Sequence, residues 1–326
     1  MQGLELKLKE RLQELLDNGT VDCVIGWTKG EFIYDTTPAI FTKESGLNGF
    51  VYNSFCGANL SKYLVSQITS DKKFAVVLKP CDTYSMNQLI TEHRVNRENI
   101  YIVGVGCSGH LDIDKIKAQG VSGITNVVDN DNNIIINSIY GDASMEKAAV
   151  LLSKCQSCKG AELKIADEII GEGIATPACD ARFDGVKKLE AMTAEQRFAF
   201  WKKELSKCIR CNACRNICPA CTCRTCVFDN ARSNVAAKAN ATEFEEKMFH
   251  IIRAFHVAGR CTDCGECSRV CPQGIPLHLL NRKFIKDINE FYGDYQAGEI
   301  ADQRNPLVNF TEGDIEATAI SDKEGK

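Results

Sequence analysis

The sequence predicts two unlike parts: an α/β domain with a partly parallel sheet, then a mainly helical domain wound around cysteine-bearing loops. Three observations predict it. Short apolar runs at 74–78 and 100–105 flank a helical stretch that reaches His93, the pattern of a βαβ crossover and a parallel strand pair. From Thr193 onward the apolar spacing becomes helical. Two cysteine runs of identical spacing then interrupt those helices: Cys208, Cys211, Cys214 and Cys218 before Pro219, and Cys261, Cys264, Cys267 and Cys271 before Pro272. We expect a boundary near Ala191, giving an α/β domain over 1–190, a cysteine-loop domain over 191–285 and an acidic extension over 286–326.

Taken in order, leucines at helical spacing over 4–17 predict a first helix, with Asn18-Gly19 as its C-terminal stop. Strands are expected at 21–25 and 32–34. After the βαβ unit, 124–128 and 134–139 read as a hairpin around the Asn-rich turn 129–133, and 145–154 as a helix. A helix over 242–258 should lead into Cys261, with Phe244, Met248, Ile251, Ile252 and Phe255 as its apolar side.

Each cysteine run reads C-x2-C-x2-C-x3-C-P, the bacterial ferredoxin signature for [4Fe–4S] cubanes, so the second half is expected to be a bacterial-ferredoxin-type dicluster domain. Three cysteines at i, i+3 and i+6 wrap a short loop around three corners of a cubane. The fourth, capped by proline, leaves for the next element and in two-cluster ferredoxins ligates the other cluster. One cluster is therefore expected on Cys208, Cys211, Cys214 and Cys271, and the other on Cys261, Cys264, Cys267 and Cys218. Structural zinc uses two CxxC pairs with a longer spacer and has no need of the third, equally spaced cysteine.

Eighteen cysteines in 326 residues point to thiolates for metal rather than disulfides, because residues 1–7 offer no apolar h-region and no small-residue cleavage site. No apolar run approaches membrane-spanning length. A cytoplasmic, low-oxygen setting follows. From Trp201 to Ile285 there are 14 Lys or Arg against 7 Asp or Glu, and from Lys286 to Lys326 there are 4 against 10. The basic residues lie among cysteines rather than with aromatics along a face, which argues against nucleic acid.

Ligands of parallel sheets sit beyond the carboxyl ends of the strands. Cys81 follows the first strand of the βαβ unit in Lys79-Pro80-Cys81-Asp82, and Cys107 follows the second in Gly104-Val105-Gly106-Cys107. With Cys155 and Cys158 they offer four thiols from three loops, enough for a third [4Fe–4S] cluster; buried structural thiols or a zinc-binding CxxC are the alternatives. Gly104 to Gly109 also spells G-x-G-x-x-G, but the acidic residue at the required distance, Asp129, opens a hairpin turn, so a dinucleotide site is not expected.

These residues, with Ala166-Asp167 and Gly171, resemble the coenzyme F420 hydrogenase/dehydrogenase beta-subunit family. The second half, through Cys208-Ile209-Arg210-Cys211, Cys218-Pro219-Ala220-Cys221-Thr222-Cys223 and His256-Val257-Ala258-Gly259-Arg260-Cys261, resembles the dicluster versions beside heterodisulfide-reductase-like complexes. The resemblance implies an iron–sulfur electron-transfer subunit of a multi-subunit oxidoreductase. Its partners would be other redox subunits and ferredoxin or a soluble two-electron carrier. It strengthens the third cluster on Cys81, Cys107, Cys155 and Cys158. Many members carry FAD, which makes a flavin-dependent oxidoreductase acting on a deazaflavin-like carrier the alternative; no phosphate-cradling loop or isoalloxazine contact is recognisable here.

Six cysteines remain. Cys23 reads as core, and Cys221, Cys223 and Cys226 could form a fourth set with Cys179 or Cys56. Arg210, Arg215, Arg224, Arg253, Arg260 and Arg269 surround the ligands, where guanidinium groups would raise cluster potentials or form salt bridges. His250 and His256 are six apart and read as helix packing.

Overall fold

The computed structural model describes residues 2–130, 132–160, 162–171, 179–230 and 242–308. Much of the acidic extension, 309–326, lies outside the described residues, as does Asp131 of the Asn-rich turn.

Helix α1 (Gln2–Asp17) buries Leu8, Leu12, Leu15 and Leu16 and ends at Gly19, whose φ of 73° is the left-handed stop the sequence supplies. It lies against a five-stranded sheet of order β2-β1-β3-β4-β8. The strands are β1 (Cys23–Lys29), β2 (Thr36–Thr42), β3 (Phe74–Leu78), β4 (Ile100–Val105) and β8 (Glu168–Ile170). β2 pairs antiparallel to β1, and the other pairings are parallel. β3 is buried at every residue, as a central parallel strand covered on both faces must be. Helix α2 (Pro80–Thr91) makes the crossover from β3 to β4, as expected from the sequence.

Helix α3 (Ile113–Ala118) leads to a separate antiparallel sheet of β5 (Ile124–Asn130), β6 (Asn133–Ser138) and β7 (Ala143–Glu146). Short helices α4 (Lys147–Val150) and α5 (Ser153–Gln156) return the chain to the first sheet through β8. Two local expectations are corrected here. Residues 32–34 form a turn, in which Gly30 and Asp35 close on each other, and the strand begins at Thr36. The helix expected over 145–154 starts as strand β7, because Ile134 of β6 takes Met145 as its partner, and is then broken between α4 and α5.

The remaining described elements are α6 (Asp184–Glu190), α7 (Ala194–Leu205), α8 (Ala213–Asn216), α9 (Glu243–His256), α10 (Glu266–Arg269) and α11 (His278–Tyr292), with 3-10 turns between them. Thr193 and Gln196 close a capping box on α7, which explains the sharp onset of helix at that point. The inward face of α9 differs from expectation. Phe244, Ile251 and Phe255 are exposed, while Glu246, Phe249, His250, Arg253 and Ala254 are buried. Phe249 joins Leu205, Cys214, Cys267, Ile275 and Leu277 in a small core that contains cysteines from both runs. The chain is thus a mixed α/β protein with a partly parallel sheet, and its paired cysteine loops lie toward the C-terminus.

Candidate iron–sulfur centres

Both cysteine runs fold as the same loop. Arg210 and Asp263, each just before the second cysteine of its run, take φ of 52°. Asn212 and Gly265, just after that cysteine, take 62° and 69°. The left-handed pair turns the chain around a central volume, and a four-residue helix follows in each case, α8 or α10.

The loops face each other with exchanged ends. Cys208, Cys211 and Cys214 share a cavity with Cys271 of the other run, while Cys261, Cys264 and Cys267 share one with Cys218. These are the two groupings that crossed ligation requires. A third cavity, of about 180 Å³, lies at the carboxyl ends of β3 and β4. Cys81, Cys107, Cys155 and Cys158 all line it. Pro80 opens α2, which places Cys81 in the first turn of that helix beside Lys79, and Cys107 follows β4 directly.

Each cavity gathers at least four thiols, donors suited to a cubane. Burial pushes the thiols of Cys107, Cys208 and Cys267 up to about 12 and that of Cys264 to about 11. Protons must therefore leave as metal arrives. Backbone N–H groups already point at the sulfurs, Arg210 to Cys208 Sγ and Gly109 to Cys107 Sγ at 3.4 Å each. The Cys221 thiol, hydrogen-bonded to Cys218, draws Cys218 down.

Charges around the cavities are paired. Asp263, on the second loop, takes Arg182 and Arg282 at 2.9 Å each. Glu266, fully buried, takes Lys154 and Arg269, and these cations hold its carboxyl far below the usual range against the opposing effect of burial. Lys79 and Asp82 form a fully buried pair at 2.7 Å, with the ammonium 4.4 Å from the centre of the Trp27 ring. The arginines named from sequence divide accordingly. Arg215, Arg260 and Arg269 bind Asp229, Glu92 and Glu266. Arg253 is buried and donates to the Cys214 carbonyl.

Sequence reasoning missed several residues. Cys179 lines the third cavity as a fifth thiol, its N–H bonded to the Cys158 carbonyl, so it stands apart from the Cys221–Cys226 segment with which it was grouped. Cys56 is buried in a turn with Asn53 and pushed up to about 12. His110 is buried on the wall of the third cavity, and His250 on that of the first loop. His110 follows Cys107 by three residues and could have been found from that spacing, whereas His250 is brought to its cavity by the packing of α9. Asp129, the acidic residue of the G-x-G-x-x-G pattern, sits in β5 and binds Lys147 at 2.7 Å.

Comparison with known proteins follows this geometry. The 4Fe-4S dicluster domain family matches residues 204–275, the span of both loops. The F420-dependent formate dehydrogenase subunit beta of Methanocaldococcus jannaschii is 26% identical over 330 aligned positions, 83% of this chain and 86% of that one. The F420-dependent formate dehydrogenase 1 subunit beta of Methanococcus maripaludis is 24% identical over 275, 66% of this chain and 71% of its own. Among solved structures, a chain of the F420-reducing [NiFe] hydrogenase complex from Methanosarcina barkeri aligns over 58% of this chain and 76% of its own, at 14% identity and a TM-score of 0.39. No helix among the described residues is long and apolar enough to cross a membrane. The chain therefore carries a 4Fe-4S dicluster domain over residues 204–275 and is similar along most of its length to the beta subunits of F420-dependent formate dehydrogenases.

Proposed function

We propose that this chain is an iron–sulfur electron-transfer subunit of a multi-subunit oxidoreductase. One cluster would rest on Cys208, Cys211, Cys214 and Cys271, a second on Cys261, Cys264, Cys267 and Cys218, and a third on Cys81, Cys107, Cys155 and Cys158. The observation that carries this reading is the exchange of fourth cysteines between the two loop cavities. Each cubane supplies a one-electron site when bound. The chain's own contribution is to group the ligands, exclude water and join the sites. Asp263 and Cys264 line both the third cavity and the cavity of the second loop, so those two sites share a wall. Cys211 is exposed, which favours the first loop as the outer end of the path.

On this reading residues 1–190 form the α/β domain, 191–285 the mainly helical dicluster domain and 286–326 an acidic extension. The partners are other redox subunits together with ferredoxin or a soluble two-electron carrier, by likeness to the F420-dependent relatives a deazaflavin. Eighteen cysteines used as thiols support a reducing, cytoplasmic setting.

A second reading makes the chain a flavin-dependent enzyme that reduces the carrier itself. A groove of about 430 Å³ favours it, with Tyr34, Phe55 and Arg269 on its wall and Cys271 at its edge. The deciding experiment is iron and released flavin per chain on protein purified without oxygen. About twelve irons support three cubanes, and about eight confine metal to the dicluster half. Flavin near one per chain selects the second reading, and its absence the first.

A further inference from the structure

Helix α9 turns His250 inward, although three of its large apolar residues face solvent. The imidazole is 2% exposed, and neither ring nitrogen has a hydrogen-bond partner among the described residues. A buried N–H without an acceptor is rare, because its desolvation is uncompensated. The ring lines the same cavity as Cys208, Cys211, Cys214 and Cys271. A His250 ring nitrogen, Cys208 Sγ and a Glu246 carboxylate oxygen all lie within 4.8 Å of one another. Glu246 pairs with the Arg210 guanidinium 3.7 Å away and accepts no hydrogen bond from the ring. The ring thus borders the cavity with no acceptor for its N–H, and a cubane there would present sulfide and thiolate sulfur.

The second loop offers a parallel. Buried Asn281 directs its side-chain amide at Cys267 Sγ, 3.8 Å away. Each loop thus has a buried side-chain donor placed by a helix from outside the cysteine run, His250 on α9 and Asn281 on α11.

We propose that His250 donates a hydrogen bond to a sulfur of the cluster held by Cys208, Cys211, Cys214 and Cys271, and thereby raises that cluster's reduction potential. The proposal rests on the ligand assignment above. Reduction adds negative charge to the sulfurs, so a donor aimed at them binds the reduced state more strongly.

The test is an EPR-monitored redox titration of the full chain, purified without oxygen, as wild type, His250→Gln and His250→Ala. Pulsed EPR on protein with 15N in the histidine rings accompanies it. His250→Ala should lower the midpoint of one cluster signal and leave the others in place. His250→Gln, which retains an N–H, should recover part of the shift. Wild type should show a ring-15N coupling on that signal that both variants lose; His278, near the second loop, keeps its own. If His250→Ala fails to hold iron, His250→Gln and the wild-type coupling decide. Unchanged midpoints in a fully loaded His250→Gln, with no coupling lost, overturn the proposal. A wild-type chain about four irons short, with no signal from the first loop, overturns the ligand assignment instead.

Discussion

In the first loop Arg210 and Asn212 hold left-handed φ of 52° and 62°; in the second, Asp263 and Gly265 hold 52° and 69° at the matching positions. The backbone is one design used twice, and the residues between the cysteines make it two. Where the first loop has Arg210 and Ala213, the second has Asp263 and Glu266, both buried. Those carboxylates reach Arg182 and Lys154 of the α/β part and Arg282 of α11, and Thr262 meets Ser85 and Lys159. The second loop is consequently tied to the α/β part from several sides. The first keeps an exposed cysteine, Cys211. Spacing sets how a loop closes on its cluster, and the intervening side chains set whether that cluster lies inside the protein or near its surface.

The largest expected effect tests the exchange of ends. Cys271→Ser should cost about four irons and leave the same residual EPR spectrum as Cys208→Ser, although Cys271 belongs to the other run. A residual spectrum matching that of Cys264→Ser would break the comparison. Next is the anchoring of the second loop. Glu266→Ala leaves Lys154 buried without its partner, and chemical unfolding of the anaerobic protein should show a loss of about 3–5 kcal/mol. Ala213→Gly at the matching position should cost about 1 kcal/mol, the helix-propensity difference.

The smallest effect contrasts the two turns. A Cβ at Gly265 would meet that of Lys154 at 2.5 Å, so Gly265→Asn should destabilise by about 1–3 kcal/mol even though asparagine tolerates this φ. Asn212→Gly relieves a left-handed residue and should change stability by no more than about 1 kcal/mol in the same unfolding experiment. Equal responses at the two sites would mean that the second loop is not held more tightly than the first.

The misreading of α9 has a physical cause. Phe244, Ile251 and Phe255 form its most apolar stripe, and a helix packed on a hydrocarbon core would bury them. The inward face here packs on cysteines, and anionic cubanes with their thiolates call for N–H donors and cations. His250 and Arg253 occupy that face beside Glu246, which pairs with Arg210, and Phe249 fills the remaining space. Apolar periodicity therefore pointed to the wrong side. The same logic made the short helix expected over 145–154 fail, since Met145 is claimed by β6 as a strand partner.

The sequence by itself determined the two C-x2-C-x2-C-x3-C-P loops, the βαβ unit of β3, α2 and β4, the stop at Gly19 and the onset of helix near Thr193. Each depends on residues a few positions apart, where covalent geometry and local hydrogen bonds leave few choices. Tertiary structure alone decided that Cys179 shares a cavity with Cys81, Cys107, Cys155 and Cys158, that His250 faces the first loop, and that Asp263 and Glu266 tie the second loop inward. Those contacts join segments far apart in the chain, so only the closing of the parallel sheet and the docking of the cysteine loops against its carboxyl edge could bring them together.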